Sequence, residues 1–460
     1  MLSWLLPFGA KRPPILVGRS PKSSNPSSSA RGGADGSLQF RPTMLRLVRV
    51  AAALALLTCL PRDASAYSVL AHEANIDAAW KESIRPLLAA RFPRATGAEL
   101  DKARAYAYGG SVIQDLGYYP FGSHFFSNLL HYIRSGDFVE ALVDEAQDVN
   151  ELAFALGALG HYAADNIGHP VAVNRAVPLM FPKLRMKYGD RVTYAESPST
   201  HVLVEFSFDV VQAAAGAYAS QAYHDFVGFE VSKPVLERAF RRTYGFEMRA
   251  VFSDEDLAVS TYRHAVSELI PEITRVAWRD KRDEILKIMP NASEQAFAFR
   301  FSRAQYETDF GGDYQKPGML TRMVTFVYKL LPKIGPLRPL KFEAPTREAE
   351  TLFLESLKET GTRYRDALSR LRAGRLDLAN TDFDTGRPAA HGEYPLADDT
   401  YAELLDRLER EHFATVSSAL RQNILAFYKP AANLRTDSKK EAKRDRKIRT
   451  QLAALAADVQ

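Results

Sequence analysis

Cysteine is almost missing from this chain. Among 460 residues there is one, Cys59, and it falls in an N-terminal stretch expected to be removed. The remainder then has no disulfide and no thiolate, so a bound metal must be held by His, Asp, Glu or backbone atoms. A large charge imbalance is also missing: 60 Lys and Arg stand against 55 Asp and Glu, a net charge of +5. Spread over this length, that charge does not call for a nucleic acid partner. The strongest apolar run, AAALALLTCL at 51–60, is too short for a bilayer, which takes about 20 residues. Strict alternation of apolar and polar residues is rare, and no repeat of fixed period occurs. With 46% hydrophobic and 25% charged residues, the chain has the means to build one large core or two smaller ones, and is neither fibrous nor wholly disordered.

The first 66 residues stand apart. Residues 1–43 are rich in Ser, Pro, Gly and Arg (PKSSNPSSSARGGADGS), a composition that does not offset its ordering entropy. At Met44 the pattern changes to two arginines in MLRLVRV, the short apolar run, and the small residues of DASA. Together these predict a secretory signal peptide over 44–66. Met44 is then the expected start, residues 1–43 an upstream extension of the reading frame, and Tyr67 the first residue of a secreted or periplasmic chain.

From Tyr67 onward the apolar period is helical, and the expected class is all-α. Thr96 and Glu99 form a capping box before a helix that Gly109 and Gly110 are expected to end. FSNLLHYIRSG reads as a short helix closed by Gly136. VNELAFALGALGHYAADNIGHP reads as a long buried helix, close-packed at Gly157 and Gly160 and stopped at Pro170. Ser199 or Thr200 is the expected N-cap of STHVLVEFSFDVVQAAAGAYA. Beyond residue 225, the pattern predicts long amphipathic helices in REAETLFLESLKETGTRYRDALSRLRAG and in DDTYAELLDRLEREHFATVSSALRQNILAFY. The expected organisation is a helical domain over 67–290, a helical C-terminal extension over 291–432, and a basic, solvated tail over 433–460.

Six of the ten histidines lie between His72 and His201: His72, His124, His131, His161, His169 and His201. In HYAADNIGH, His161, Asp165 and His169 recur every fourth residue and so follow one another along one face of a helix. His201 and Glu205 repeat the spacing. The face is otherwise Leu, Ala, Phe and Gly, where unpaired charge costs several kcal/mol. Two outcomes satisfy the pattern: a metal centre of His and carboxylate ligands on facing helices, or a buried His–Asp hydrogen-bond network.

SHF at Ser123–Phe125, GALGHYAAD at Gly157–Asp165, and His201 followed by Glu205 resemble the secreted bacterial zinc-dependent phospholipases C, and more distantly the single-strand-specific nucleases of the same trinuclear-zinc superfamily. The resemblance covers roughly residues 67–210. It implies an all-α, multi-helix bundle that binds up to three zinc ions. By that resemblance the backbone of Tyr67, with His72 and Asp165, holds one zinc; Asp115, His124, His161 and Asp165 hold the second; His169, His201 and Glu205 hold the third. Two departures stand out. The family places the last histidine of the long helix six residues after the aspartate, and here it is four. Asp115 to His124 is also a short spacing, which makes His131 in LLHYI the second choice after His124.

The implied reaction is hydrolysis of a phosphodiester by a zinc-activated water, with Asp115 as ligand and as the group that orients or deprotonates that water. The implied substrate is a glycerophospholipid. Apolar and basic residues mix over 318–342 as in a helix lying on a membrane surface, with a core helix as the alternative. A nuclease-like phosphodiesterase and a non-catalytic helical metal-binding protein are the other readings; no specific nucleic acid partner is expected.

Overall fold

The computed structural model describes residues 68–214, 229–269, several positions between 278 and 290, 342–429 and 439–457. Tyr67 and the segment 318–341 lie outside the described residues, as do both N-terminal segments. Every described residue belongs to one unit, Ala52–Gln460. No strand occurs among the described residues, and the fold is all-α. Among the described residues the one β-like contact is an isolated antiparallel bridge between Asp382 and Arg387.

The chain folds into α1 (Val69–Ala79), α2 (Arg85–Arg91), α3 (Gly97–Val112), α4 (His124–Tyr132), α5 (Ser135–Glu145) and α6 (Val149–Ile167). After a π turn over Gly168–Val173 come α7 (Asn174–Met180), α8 (Pro182–Tyr188), α9 (Pro198–Ala214), α10 (Lys233–Tyr244) and α11 (Glu255–His264). The C-terminal part contributes α12 (Arg347–Arg372), α13 (Pro395–Arg410), α14 (Ser418–Tyr428) and α15 (Lys439–Ala457). Among the described residues no helix is long and apolar enough to cross a membrane.

The long helix α6 is the centre of the bundle. Asp148 caps it by accepting the Asn150 and Glu151 amides, which satisfies two of its orphan donors. Its second half is buried, and it crosses α3 with backbone against backbone. A Cβ on Gly110 would stand 1.8 Å from the Phe154 carbonyl oxygen, and one on Gly157 would stand 2.0 Å from that of Ala107. Gly109 and Gly110 therefore do not end a helix. The Thr96–Glu99 capping box starts α3, which continues past the glycines because they are where a neighbour approaches.

Several other expected boundaries move. The segment expected to close at Gly136 breaks at Ile133 and at Arg134, whose φ is 52°. Gly136 belongs to the next helix and faces the carbonyls of Leu378 and Ala379, 2.6 Å from a built Cβ. α9 starts at Pro198, ahead of Ser199 and Thr200. The expected long helix over 398–428 is two helices, interrupted where His412 and Phe413 take positive φ. From Lys439 the expected solvated tail is helix α15. Ile448, Leu452 and Leu455 form its apolar stripe, Ile448 and Leu455 buried, and the Gln451 amide donates to Asp406 and Glu409 on α13.

One apolar cluster runs from Val69 through α3, α6 and α12 to Leu455. α12 lies along α6, with the Tyr364 hydroxyl donating to the Leu156 carbonyl. Phe125 and Phe126 in the first turn of α4 are core residues; Phe126 stacks on Phe240 at 5.7 Å.

Candidate metal centre

Two groups of chemistry-bearing side chains converge inside the bundle. Asp115, His131, His161 and Asp165 form one, and His169, His201 and Glu205 the other. All seven are at most 5% exposed. His161 and Asp165 come from α6, His131 from α4, His201 and Glu205 from α9, and Asp115 from the 3₁₀ turn Ile113–Tyr118. His72 on α1 adjoins the first group, with its Nε2 3.5 Å from Asp165 Oδ1 and its ring stacked on His161 at 4.3 Å.

Asp165 stands between these residues. Its Oδ1 faces His72, while its Oδ2 is 3.1 Å from His161 Nε2 and 3.5 Å from His131 Nε2. His131 Nε2 is also 3.5 Å from Asp115 Oδ1. Among the described residues neither Asp165 oxygen accepts a hydrogen bond, and the Nε2 atoms of His131 and His161 make none. Donor atoms about 2 Å from a shared tetrahedral ion lie roughly 3.3 Å apart, the separation seen here.

The outer nitrogens of the rings are held by backbone. His131 Nδ1 donates to the Ser127 carbonyl at 2.8 Å, His161 Nδ1 to Ser111 at 2.9 Å, and His201 Nε2 to Val192 at 2.6 Å. Each carbonyl fixes one tautomer and leaves the other nitrogen's lone pair facing the cluster. His201 Nδ1 is accordingly 3.7 Å from Glu205 Oε1, and neither atom has a hydrogen bond among the described residues.

His169 joins the His201 and Glu205 set that the resemblance implies, but it reaches that set from the π turn and not from α6. It does not continue the face of His161 and Asp165, because the chain leaves α6 at Ile167 and widens into the π turn that contains Pro170. The wider turn carries His169 to His201, ring centroids 5.9 Å apart. His131 and not His124 completes the first group. His124 is exposed at the start of α4 with its ring 5.9 Å from Tyr118. The reason is helical rise: seven residues make almost two full turns, so the two histidines share a face but stand about 10 Å apart along α4, and only its C-terminal end reaches Asp115, His161 and Asp165.

Electrostatics show what the groups lack. Burial, and then the carboxylates of Asp165, Asp115, Asp384 and Asp209, push the Glu205 carboxyl well above its ordinary range. Burial, and then His161, lower the His72 imidazole to about 4; burial and His169 lower His201 to about 3. Burial opposes charge on Asp165, but His161, His131 and His72 overcome it and hold that carboxyl well below its usual range. A divalent cation would offset the desolvation penalty on these buried imidazoles and carboxylates. The donor set, its orphaned atoms and its thiolate-free chemistry all suit zinc.

Residues 76–254 match the family model described as zinc dependent phospholipase C. The chain carries a domain of that family. That family is one of zinc-dependent phosphodiester hydrolases. Neither the curated proteins nor the solved structures return a match.

The zinc-dependent phospholipase C domain does not supply the whole site. His72 precedes the matched residues, and Asp384 follows them by more than a hundred positions. Asp384 Oδ1 lies 3.1 Å from His169 Nε2. Sequence reasoning missed Asp384 because its neighbourhood, LANTDFDTGRP, has no helical period to place it beside a histidine. Asp209 was also missed, though it extends the His201, Glu205 spacing by another four residues. Its carboxylate accepts the Leu70 and Ala71 amides at 2.8 and 2.9 Å and caps α1, which carries His72.

Proposed function

We propose that the chain is a secreted phospholipase C that hydrolyses glycerophospholipids with zinc held by these two groups and His72. The observation that carries this reading is Asp165, a buried carboxylate facing three histidines with no hydrogen bond to any of them.

His72 and Asp165 would hold one ion, with the Tyr67 backbone completing that set as the resemblance implies. Asp115, His131, His161 and Asp165 would hold a second, and His169, His201 and Glu205 a third. When bound, the ions act as Lewis acids toward phosphoryl oxygens and make water a stronger acid. The residues do the positioning. The carbonyls of Ser127, Ser111 and Val192 keep three rings in register, and the shared Asp165 fixes the spacing between His72 and the α6 group. Asp115 is the most exposed of the carboxylates, its side chain 7% open against 0% for Asp165. It is therefore the group best placed to orient an incoming water and accept its proton.

Signal cleavage before Tyr67 belongs to the same reading. A peptide nitrogen does not ligate, whereas a free α-amine with a pKa near 8 can give up its proton to a metal. Export would then complete the set containing His72 and bring the protein to its lipid.

The burial of both groups favours one second reading, in which the ions are structural and the protein is a non-catalytic metal-binding scaffold. One exported sample separates these. Zinc content, N-terminal sequence, and chelator-sensitive hydrolysis of phosphatidylcholine vesicles and of single-stranded DNA are measured together. The proposal expects zinc, a Tyr67 terminus and lipid hydrolysis. Zinc without hydrolysis of either substrate leaves the scaffold, hydrolysis of DNA alone makes it a nuclease, and no zinc overturns the metal centre.

A further inference from the structure

The strap joining α12 to α13 reaches the metal centre from outside the matched domain. It is tied down along its length. The Leu378 amide donates to Glu140 at 2.6 Å, the Asp137 amide to the Asn380 side chain at 3.0 Å, and Tyr162 to the Ala379 carbonyl at 2.8 Å. Ser135 Oγ donates to the Thr381 carbonyl and accepts the Thr381 amide. Gly136 lets this backbone lie directly on α5. Next, the Phe383 amide donates to the His131 carbonyl at 3.2 Å, and the Phe383 ring packs at 5.1 Å from that of His131.

The strap then turns tightly, with Asp382 Oδ1 accepting the Asp384 amide and its backbone bridging Arg387. The turn delivers Asp384 beside His169. Its two oxygens divide their tasks. Oδ2 accepts the hydroxyls of Tyr132 and Tyr394, which fix the carboxylate, and Oδ1 faces His169 Nε2 at 3.1 Å. That contact lacks hydrogen-bond alignment, and neither His169 nitrogen makes a hydrogen bond among the described residues. A carboxylate acting only through the imidazole would receive the ring N–H in line. A nitrogen and an oxygen this close and out of line have the separation of two ligands of one ion.

We propose that Asp384 is a metal-binding residue of the His169, His201 and Glu205 set, brought in by the strap from beyond the family domain. This rests on the reading of the site as a zinc centre. Asp384 raises the protein donors of that set to four, the number of a closed structural zinc site. The position open to water then falls to the Asp115 side of the centre. The strap also gives the C-terminal region a task, which is to complete and seal a site whose other donors come from α6, the π turn and α9.

The test uses the full-length chain, loaded with zinc and then dialysed against a limiting chelator. Asp384→Asn is expected to retain one ion fewer than the wild type, or to release it about tenfold faster. Asn380→Ala, which loosens the strap without touching the carboxylate, is expected to keep its full zinc. Full zinc in Asp384→Asn, or equal loss in the two variants, overturns the proposal. If Asp384→Asn does not fold, the cobalt-substituted Asp384→Glu protein decides: a shifted visible absorption supports ligation, and the wild-type spectrum overturns it. A wild type without zinc overturns the metal centre as well, so the two failures are distinguishable.

Discussion

Asp165 Oδ2 lies 3.1 Å from His161 Nε2, one helical turn away on α6, and no hydrogen bond joins them. The ring cannot rotate to make one, because its Nδ1 is committed to the Ser111 carbonyl of α3. Two buried groups are thus held at contact distance and out of line by a neighbouring helix, an arrangement that a shared ion satisfies and a proton does not.

Asp165→Asn should therefore empty more than one set. The amide presents NH2 to His72 or to His161, and it removes the negative charge that faces both. Expected outcomes are loss of zinc from the two sets that share Asp165 and a fall in hydrolysis to about a hundredth or less. Zinc analysis of the folded variant checks this; an unchanged zinc content would contradict a shared ligand.

The two candidate histidines of α4 should separate cleanly. His131→Ala removes a donor 3.5 Å from both Asp115 and Asp165 and should lower zinc affinity by at least about tenfold. His124→Ala alters an exposed residue outside both groups and should leave the zinc content at the wild-type value. Competition with a chromophoric chelator reads both variants on one scale.

What was legible in the sequence follows from what period can carry. The 3.6-residue repeat places His161 with Asp165 and His201 with Glu205, since each pair lies on one uninterrupted helix. The same rule misplaces His169, which follows the aspartate at helical spacing but sits in a π turn. Glycine pairs read as a helix end, Gly109 and Gly110, are a helix crossing, because a sequence shows that a side chain is missing and not what fills the space. Asp384 was beyond reach. Its place depends on a strap anchored by Glu140, Ser135 and Asn166, contacts made across more than 200 residues of chain.

Acid should destabilise the metal-free protein. The folded imidazoles of His72 and His201 are lowered to about 4 and about 3, chiefly by burial. Between those values and 6.5 the unfolded chain binds protons that the folded one refuses, so stability rises with pH across this window and falls as pH drops through it. His131 acts in the opposite sense. Its imidazole is raised to about 10, with burial outweighed by Asp115 and Asp165. Its contribution is fully present below 6.5 and is lost as pH rises through 10. Thermal melts of chelator-treated protein should show a maximum near pH 6.5, and a midpoint that stays flat from pH 4 to 6.5 would contradict the burial of neutral His72 and His201.

Two glycines on α6, three residues apart, should respond differently to the same change. At Gly157 a methyl group would meet the Ala107 carbonyl oxygen at 2.0 Å and the Ser111 amide nitrogen at 2.8 Å. Both are backbone atoms of α3, so accommodation requires moving one helix off the other. The Ser111 carbonyl that orients His161 would move with it. At Gly160 the nearest atoms are side chain, Ile76 Cδ1 at 3.0 Å and Tyr364 Cζ at 3.2 Å, which can give by a few tenths of an ångström. Alanine stabilises a helix interior over glycine by about 1 kcal/mol, enough to offset a small repacking at Gly160. At Gly157 overpacking costs about 3 kcal/mol or more. Urea unfolding should place Gly160→Ala within about 1 kcal/mol of the wild type and Gly157→Ala far below it, with weakened zinc retention in Gly157→Ala alone. Equal midpoints for the two variants would mean that α3 and α6 do not touch at the backbone.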